Sequence, residues 1–433
     1  MKYKVGLISL GCAKNLVDSE MILGMLNASN FEIVNSIEES DVVIINTCGF
    51  IEDSKKESIE NILDVISYHK KVVVVGCLVQ RYLDELKKSI PEVDLWVKIK
   101  DYSHLNERLM ELLEDSSIEK INPFVRVVST PSYMAYLRIS EGCNNCCTYC
   151  AIPLIRGPFK SRAFDDVIKE ANDLASKGIK ELVLISQDTT RYGSDFKDKK
   201  TIVDLLKEII KIKQFISIRL LYLYPDEITD ELIDFISEHK DVVAPYFDIP
   251  FQHSSNKILK SMHRRGTKEE YQLLIEKIRN KIPSAIIRTT YIVGFPGESD
   301  DDFVDLVSFT KKNKFDHMGA FSYSREDGTL SYKYPNQVED ALKKGRLNKI
   351  MEVQKKISYE NNKTHIGEVM KGIVIGYNEN SNNVYELRSY WNAPDDIDGK
   401  ISFTSNKVLK LGDIVNVKIT NAFIYDLFGE LID

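Results

Sequence analysis

The sequence has no long hydrophobic run. Its apolar stretches, such as those at 42–45 and 72–75, have the length of a strand, whereas a membrane-spanning helix needs about 20 apolar residues. The first ten residues resemble a strand and lack the apolar region and small-residue cleavage site of a signal peptide. We therefore expect no membrane association and a cytoplasmic location.

A basic excess is also missing. The 433 residues carry 58 Lys and Arg against 65 Asp and Glu, a net charge of −7, whereas proteins that hold nucleic acid through its phosphates usually show a basic surface. This lowers the expectation of nucleic-acid binding without excluding a local basic patch. With 21 Gly, 12 Pro and 43% hydrophobic residues, the chain is neither fibrous nor generally disordered, and it is long enough for two or three domains.

The pattern of apolar runs divides the chain into five parts and predicts an α/β fold class. Alternating strands and helices over 1–117 predict an N-terminal domain with a mostly parallel sheet. Residues 118–133 are expected to be a linker. Six strand–helix repeats in 134–337 predict a partial, TIM-like (β/α)6 barrel, whose missing repeats leave a lateral opening for a bulky substrate. A helical connector is expected at 338–362, and short β-like runs in 363–433 predict a small antiparallel β-barrel.

The start and the apolar face of one helix in the N-terminal domain can be predicted from the sequence. Ser54 followed by Glu57 predicts a capping-box start. The spacing predicts one apolar face, formed by Ile59, Ile62, Leu63 and Ile66.

The seven cysteines are an odd number in a chain expected to be cytoplasmic, so a disulfide framework is not expected. Cys143, Cys147 and Cys150 form a C-x3-C-x2-C motif directly after a predicted strand. Thiolates favour iron–sulfur clusters or zinc, and three ligands for a four-iron cluster leave one iron open to an exogenous molecule. The alternative is a zinc knuckle, although no His or further Cys follows at knuckle distance. Cys146 could be a ligand only together with Cys143 and Cys150, in the less familiar spacing C-x2-C-x3-C. It is therefore interpreted as a residue that does not bind the cluster.

Cys12, Cys48 and Cys77 each end or closely follow an apolar run, and each has a neighbouring glycine. The carboxyl ends of parallel strands meet at one edge of a sheet, and glycine permits tight turns and close backbone approach. The three thiols are therefore predicted to converge on a second, three-cysteine cluster. The alternative is that they are three buried structural cysteines.

The C-x3-C-x2-C motif at the start of a βα barrel resembles the radical S-adenosylmethionine (SAM) superfamily. Together with the second cysteine triplet, it resembles the methylthiotransferases, which join an auxiliary-cluster domain, a radical SAM barrel and a C-terminal TRAM domain. This resemblance spans nearly the whole chain. It implies two [4Fe-4S] clusters, the auxiliary one on Cys12, Cys48 and Cys77 and the radical SAM one on Cys143, Cys147 and Cys150. It also implies that one SAM donates the methyl group and another generates the 5′-deoxyadenosyl radical.

The two main branches of this family modify an aspartate of ribosomal protein S-twelve or an adenosine of transfer RNA. Residues 9–20 (SLGCAKNLVDSE), 46–51 (NTCGFI) and 393–399 (APDDIDG) resemble the ribosomal-protein branch, whereas the transfer-RNA branch tends to place Ser and a Val-Arg pair after its Cys. Residues 364–433 carry six basic and ten acidic residues, a net charge of −4. Such a module suits a basic protein better than a phosphate backbone, although an ordinary solvated surface would have the same charge.

The resemblance therefore implies methylthio transfer to the β-carbon of an aspartate of ribosomal protein S-twelve, free or in the small ribosomal subunit. It also implies an electron donor of the flavodoxin or ferredoxin type, and the enzyme is expected to be a monomer. Two alternatives are modification of transfer-RNA adenosine and, from another class, a non-catalytic iron–sulfur electron carrier.

Further candidates line the predicted barrel. Gln187 and Asp188 follow one strand and Gly294 follows another, and barrel active sites collect at strand carboxyl ends. With Arg288, these residues are the candidates for the SAM pocket. A cap or turn role for Gln187 and Asp188, and a scaffold role for Arg288, remain alternatives. Arg162 and Gln252 are candidates for contacts to the cofactor carboxylate or the substrate, with a surface or scaffold role as the alternative. No role is assigned to the loop histidines, His253 and His263.

Overall fold

The computed structural model describes residues 3–29, 31–115, 126–377 and 383–432. The chain forms two compact units: unit 1 comprises Met1–Thr130, Glu141–Lys160 and Ser324–Tyr332, and unit 2 comprises Pro131–Ser140, Ser161–Tyr323 and Lys333–Asp433. Of the expected linker, 118–125 lies outside the described residues. Within the described ranges, no helix combines the length and the apolar character needed to cross a membrane.

Unit 1 is built around a five-stranded parallel sheet with the order β2-β1-β3-β4-β5. Its strands and helices are β1 (Tyr3–Ser9), α1 (Ala13–Ala28), β2 (Phe31–Ile33), β3 (Val42–Thr47), α2 (Glu52–Ile66), β4 (Lys71–Gly76), α3 (Cys77–Ser89), β5 (Leu95–Val97) and α4 (Leu105–Leu113), with a 3-10 helix at Ile99–His104. This order is that of a doubly wound sheet, in which ligands bind at the carboxyl ends where the strand order reverses, here at β1 and β3.

Helices cover both faces of this sheet. The central strands β3 and β4 each contain a buried run of four apolar residues, 42–45 and 72–75, as expected for parallel strands that are covered on both sides. One face packs against α1 and α4 through residues such as Ile22 and Leu109, and the other packs against α2 and α3 through residues such as Ile62 and Leu86. The edge strands β2 and β5 were not predicted from the sequence, since each has only three residues.

The predicted start of α2 is wrong. The helix begins at Glu52, after the extended residue Ile51, and that cap position has no side-chain hydrogen bond. Ser54 lies inside the first turn and its hydroxyl instead hydrogen-bonds the thiol of Cys48. Leu63 was assigned to the buried face but is 52% exposed, because the helix packs through Ile62 and Val65.

The next elements are β6 (Met134–Arg138), β7 (Ser140–Glu141), α5 (Ile152–Arg156) and β8 (Lys160–Ser161), of which β7 and β8 pair with each other. The rest of the barrel consists of α6 (Phe164–Ser176), β9 (Glu181–Ile185), α7 (Ile202–Ile209), β10 (Ser217–Leu220), α8 (Asp230–Glu238), β11 (Tyr246–Asp248), α9 (Asn256–Ser261), α10 (Lys268–Lys281), β12 (Ile286–Val293), α11 (Asp300–Asn313) and β13 (His317–Ser322). Short 3-10 helices lie at Pro225–Glu227 and Leu330–Lys333.

The barrel is a six-stranded parallel arrangement, as predicted. Its strands form two sheets, β6-β9-β10 and β11-β12-β13, which a bridge between Ile218 and Val243 connects. Among the described residues, no strand pairing joins β6 to β13. The barrel is therefore incomplete on that side.

The connector helix α12 (Asp340–Thr364) leads into a closed five-stranded barrel with the order β14-β15-β16-β18-β17. Its strands are β14 (Val369–Tyr377), β15 (Val384–Arg388), β16 (Ile401–Thr404), β17 (Ile414–Ala422) and β18 (Leu427–Ile432). The sequence analysis identified β14, β16 and β17. It missed β15 and β18, because charged residues and Gly429 interrupt their apolar pattern.

Part of the acidic turn at 393–399 is buried inside unit 2. The Asp398 side chain is fully buried. It lies 3.3 Å from Nε of Arg288 on β12, and it accepts a 2.6 Å hydrogen bond from the Tyr246 hydroxyl on β11. Arg219 on β10 is also fully buried and donates to the carbonyl of Ser389 at 2.6 Å. Counting Asp398 as a surface acid is therefore wrong.

We predict that Asp398→Asn destabilises the protein by about 3 kcal/mol, because it removes one of the two carboxylates that pair with the buried Arg288 charge, the other being Asp248. Burial raises the pKa of Asp398, but His317 and Arg288 outweigh this effect and hold it below its usual value. The stabilisation is thus present above the ordinary carboxyl pKa of about 3.9 and lost as the pH falls. Urea unfolding at pH 7 and at lower pH measures both effects. Asp396→Asn, at an exposed position in the same turn, should change stability by less than about 0.5 kcal/mol; equal effects of the two variants would refute the prediction.

Candidate metal centres

Cys12, Cys48 and Cys77 all lie at the carboxyl edge of the unit 1 sheet. Cys12 precedes α1, Cys48 directly follows β3 and Cys77 is the first residue of α3. Thr47 of β3 pairs with Gly76 of β4. Cys48 and Cys77 are the residues that directly follow this pair. Burial is the main cause that raises the pKa of the Cys48 and Cys77 thiols, and electrostatic interaction with Cys12 adds a smaller increase to both. The structure therefore brings the three predicted residues together.

Two glycines make this approach possible. Gly11 has a φ of +88°, and a Cβ built on it would lie 2.9 Å from Cβ of Cys48 and 3.1 Å from its sulfur. A Cβ on Gly49 would lie 2.7 Å from the backbone of Leu78 and 2.9 Å from the carbonyl carbon of Cys77. A side chain at either position would force the cysteine-bearing turns apart, since real Cβ atoms do not approach other heavy atoms so closely.

Polar groups on α2 surround Cys48. The Ser58 hydroxyl donates to the Cys48 carbonyl at 2.9 Å and accepts from its N–H at 3.0 Å. Burial raises the pKa of the Cys48 thiol, while hydrogen bonds from the Phe50 backbone and the Ser54 side chain oppose this effect. Sequence reasoning missed both serines, although their positions four residues apart on a helix just after Cys48 place them on one face.

Cys77 is the most strongly perturbed of these thiols. Burial raises its pKa to about 12, and the positive charge of Arg156 partly opposes the increase. Its sulfur lies 3.5 Å from Nη2 of Arg156 and 3.7 Å from Oδ1 of Asn15. Metal binding requires the thiolate form, so a metal at this edge would release protons when it binds.

The second triplet lies in an irregular loop between β7 and α5. The Cys143 N–H donates to the Gly157 carbonyl at 3.2 Å. The Asn145 N–H lies 3.5 Å from the Cys143 sulfur, and the Ile152 N–H lies 3.4 Å from that of Cys150. Backbone donors of this kind stabilise negatively charged sulfur and tune iron–sulfur clusters. Cys146 is exposed and has a φ of +51°.

Unit 1 contains both triplets, and side chains of α5 join them. Cys77 packs in one apolar cluster with Ala151 and Ile155, which follow Cys150 in the chain. Arg156, at the end of the same helix, is the residue that lies beside the Cys77 sulfur. Sequence reasoning missed Arg156. The available signal was its position six residues after Cys150, next to Gly157.

The segment Ser324–Tyr332 contacts both cysteine-bearing regions of unit 1. Its Glu326 carboxylate lies 3.1 Å from both Lys55 and Arg81, and Arg81 in turn donates to the Gly49 carbonyl at 2.7 Å. The Ser331 N–H donates to the Thr148 carbonyl at 2.9 Å, between Cys147 and Cys150. This segment thus holds the turn after Cys48 and the loop of the second triplet.

The donor sets fit iron–sulfur clusters in their chemistry. Each triplet supplies three soft sulfur ligands, and amide, hydroxyl or guanidinium donors point at these sulfurs. All seven cysteines are unbridged. Over the ranges that the structure describes, no three His, Cys, Asp or Glu side chains lie close enough together to hold a single metal ion. In a four-iron cluster, by contrast, each cysteine binds a different iron.

The candidates for the SAM pocket lie at opposite ends of the strands of the unit 2 barrel. Asp188 follows β9, is fully buried and accepts a 2.7 Å hydrogen bond from Thr190; Gln187 is its neighbour. Gly294 follows β12, and its N–H donates to Glu298 at 2.6 Å. These residues therefore lie at carboxyl ends of strands, where barrel ligands bind.

Arg288 lies instead near the amino end of β12, six residues before Gly294, a separation of roughly 20 Å along an extended strand. Its guanidinium is 3.1 Å from Asp248 and 3.3 Å from Asp398. Burial lowers its pKa, but the charge of Asp248 outweighs this effect, so the pKa is raised overall. This arrangement favours the scaffold alternative for Arg288. Among the residues without an assigned role, His253 is fully buried, and its Nδ1 accepts from the Ser255 N–H at 2.9 Å.

Three family models match successive parts of the chain. The uncharacterized protein family UPF0004 matches residues 4–98, the radical SAM superfamily matches 137–310 and the TRAM domain matches 366–432. The order of these matches agrees with the observed parallel-sheet domain, partial barrel and small β-barrel.

Curated relatives match the chain over its full length. A protein of Acetivibrio thermocellus is 46% identical over 100% of this chain and 99% of its own length. One of Clostridium botulinum is 47% identical over 100% of this chain and 99% of its own. Both are named ribosomal protein uS12 methylthiotransferase RimO. The chain belongs to the RimO family of methylthiotransferases. It is accordingly a methylthiotransferase enzyme of the radical SAM superfamily.

Solved structures share the fold of this RimO family member. The radical SAM methyltransferase TsrM of Kitasatospora setae, with cobalamin and a [4Fe-4S] cluster bound, has a TM-score of 0.57 and 13% identity, covering 89% of this chain and 81% of TsrM. The cobalamin-dependent SAM radical enzyme OxsB has a TM-score of 0.54 and 14% identity, covering 82% of this chain and 56% of OxsB. At these identities, the likeness concerns the fold alone.

We predict that Gly49→Ala lowers stability by about 1–3 kcal/mol and reduces iron loading, because its methyl group would overlap the backbone of Leu78. Chemical unfolding and iron analysis after anaerobic reconstitution measure the two effects. Gly345→Ala is the matched control, since a Cβ there meets no atom within 4 Å and alanine favours the α12 helix by about 0.5–1 kcal/mol. Normal iron loading of Gly49→Ala would contradict the proposed close approach.

Proposed function

We propose that this protein transfers a methylthio group to the β-carbon of an aspartate in ribosomal protein uS12, using SAM and two [4Fe-4S] clusters. The observation that carries the proposal is the presence of two cysteine triplets in unit 1, with Cys77 of one packed against the helix that follows Cys150 of the other. Forming a carbon–sulfur bond at an unactivated carbon needs a radical source and a sulfur carrier near each other, and two such centres would supply them. The relatives named as uS12 methylthiotransferases support the same reaction.

The two triplets would have different roles. Cys143, Cys147 and Cys150 would hold the cluster that binds SAM, and Cys12, Cys48 and Cys77 would hold the auxiliary cluster. The first cluster would supply the electron for cleavage of SAM to methionine and a 5′-deoxyadenosyl radical, and a further SAM would supply the methyl group of the methylthio product. The protein contributes the thiolates, the amide donors that stabilise them and the turns that fix their positions.

The barrel would position SAM with residues at its strand carboxyl ends. Gly294, Gln187 and Asp188 are our candidates for this pocket. Glu298 accepts hydrogen bonds from the Gly294 and Phe295 N–H groups, and its other oxygen lies 3.0 Å from Arg346 of α12. The connector helix thereby holds the Gly294 turn in one conformation, which would pre-organise that wall of the pocket.

Charge supports a protein substrate over transfer RNA. The C-terminal module is acidic, and Asp395 and Asp396 of its turn are exposed. Such a surface attracts a basic ribosomal protein and repels a phosphate backbone. We further infer that the enzyme acts in the cytoplasm as a monomer and receives electrons from a flavodoxin- or ferredoxin-type protein.

A direct comparison of substrates tests the proposal. The reconstituted enzyme, SAM and a reductant are incubated anaerobically with purified uS12, with intact small ribosomal subunits and with unmodified transfer RNA. Mass spectrometry should find the methylthio increase on one aspartate of uS12 and none on RNA. Modification of transfer-RNA adenosine alone would overturn the choice of substrate.

Cysteine variants test the division of roles. Cys147→Ala should abolish formation of 5′-deoxyadenosine, because its cluster would lose a ligand. Cys48→Ala should retain this cleavage but form no methylthio product. Cys146→Ala is the matched control, and it should behave as the parent enzyme in both assays. If Cys147→Ala and Cys48→Ala cleave SAM equally well, the proposed roles are wrong.

Cluster number is tested independently of activity. Iron and sulfide analysis with Mössbauer spectroscopy should find two four-iron clusters in the parent protein and one after the loss of either triplet. A single cluster, or bound zinc, would refute the proposed cofactor content. Formation of 5′-deoxyadenosine also excludes a simple electron carrier, which would transfer electrons without cleaving SAM.

A further inference from the structure

Arg156 is a buried charge between the two cysteine triplets of unit 1. Its side chain is 2% exposed. Nη1 lies 2.6 Å from Asp18, whereas Nη2 lies 3.1 Å from Asn15 and 3.5 Å from the Cys77 sulfur. The positive end of the Arg156–Asp18 pair is therefore directed at Cys77. None of the roles assigned above requires this charge.

A guanidinium in this position affects a sulfur ligand in a definite direction. Arginine stays charged under all ordinary conditions, so its field at Cys77 is permanent. Reduction of an iron–sulfur cluster adds negative charge to its iron and sulfur atoms. A cationic donor at a ligating sulfur stabilises the reduced state more than the oxidised state and raises the reduction potential. Low exposure strengthens the effect because water does not screen the charge.

The position of Arg156 in the chain connects this effect to the other triplet. Helix α5 spans Ile152–Arg156 and begins two residues after Cys150. The Ile152 N–H lies 3.4 Å from the Cys150 sulfur at the start of the helix, while Arg156 lies 3.5 Å from the Cys77 sulfur at its end. One short helix thus contacts a sulfur of each triplet.

We propose that Arg156 is a positioning residue that raises the reduction potential of the auxiliary cluster by donating a charge-assisted hydrogen bond to Cys77. This inference rests on the auxiliary cluster of the proposed function. Asp18 and Asn15 orient the guanidinium, and α5 fixes its distance from the radical SAM triplet. The auxiliary cluster is therefore kept easier to reduce than three buried thiolates alone would make it.

The test isolates the auxiliary cluster in the full-length chain. Cys143, Cys147 and Cys150 are replaced by Ala, and the protein is reconstituted anaerobically with iron and sulfide. Arg156→Met, Arg156→Lys and the double variant Arg156→Met/Asp18→Asn are made in this background. Redox titration followed by electron paramagnetic resonance gives each midpoint potential. We expect a lower potential for Arg156→Met and for the double variant, and a smaller decrease for Arg156→Lys, which keeps the charge.

Arg108→Met is the matched control. Arg108 belongs to unit 1, its side chain is 39% exposed, and it contacts Asp101 and the Trp96 carbonyl. Its loss removes one positive charge without touching a cysteine, so the potential should stay at the parent value. An equal decrease in Arg108→Met would show that net charge alone acts and would overturn the specific role of Arg156.

The double variant protects the test against misfolding, because it removes the two buried charges together. Glu141, which lies 3.4 Å from Nη1 of Arg156, also loses this contact, but its side chain is 32% exposed and stays hydrated. If it loads iron and keeps the parent potential, the inference is wrong while the proposed function stands. If neither Met variant loads iron and Arg156→Lys keeps the parent potential, Arg156 is only structural and the inference is again wrong. If the parent background binds no cluster, both the inference and the auxiliary site of the proposed function fail.

Discussion

The alignment of β1, β3 and β4 determines where the first cysteine triplet lies. Parallel pairing places Ser9 opposite Asn46 and Thr47 opposite Gly76, so residues far apart in the sequence leave the sheet at one edge. A shift of one residue would turn the following side chains to the other face. Buried amide groups help to hold the register, since the Asn46 side chain donates to the Asn15 carbonyl at 2.8 Å. Any centre built on these cysteines therefore depends on the sheet.

Hydrogen bonds and an ion pair within unit 1 hold the polar groups around this edge. Ser58 bonds both backbone groups of Cys48, and Arg156 is held by Asp18 beside Cys77. Burying an arginine and a carboxylate together costs desolvation, and such a pair adds little net stability compared with apolar side chains of similar size. Its presence is better explained by orientation of a charge than by stabilisation of the fold. An active centre gains from groups that do not reorganise during the reaction.

Short sequence patterns predicted the features that depend on residues close together in the chain. Apolar runs followed by Gly and Cys identified the three strand ends, and the spacing of Cys143, Cys147 and Cys150 identified the second triplet. The same reasoning failed where distant contacts decide the structure. Ser54 looked like a helix cap because Glu57 follows it three residues later, whereas the helix starts earlier and the hydroxyl hydrogen-bonds Cys48. Arg156 and its partner Asp18 are 138 positions apart, and no periodicity connects them.

Contacts between distant residues also decide which charges of the C-terminal module are exposed. Asp396 and Asp398 contribute equally to the sum, but Asp396 is exposed whereas Asp398 is buried between Arg288 and Tyr246. A carboxylate that is neutralised inside the protein by an arginine adds almost no field outside it. The acids that a basic ribosomal protein can meet are therefore fewer than the sequence contains. In the proposed function, attraction of a basic substrate would therefore rest on exposed acids such as Asp396, while the buried Asp398 holds the turn that presents them.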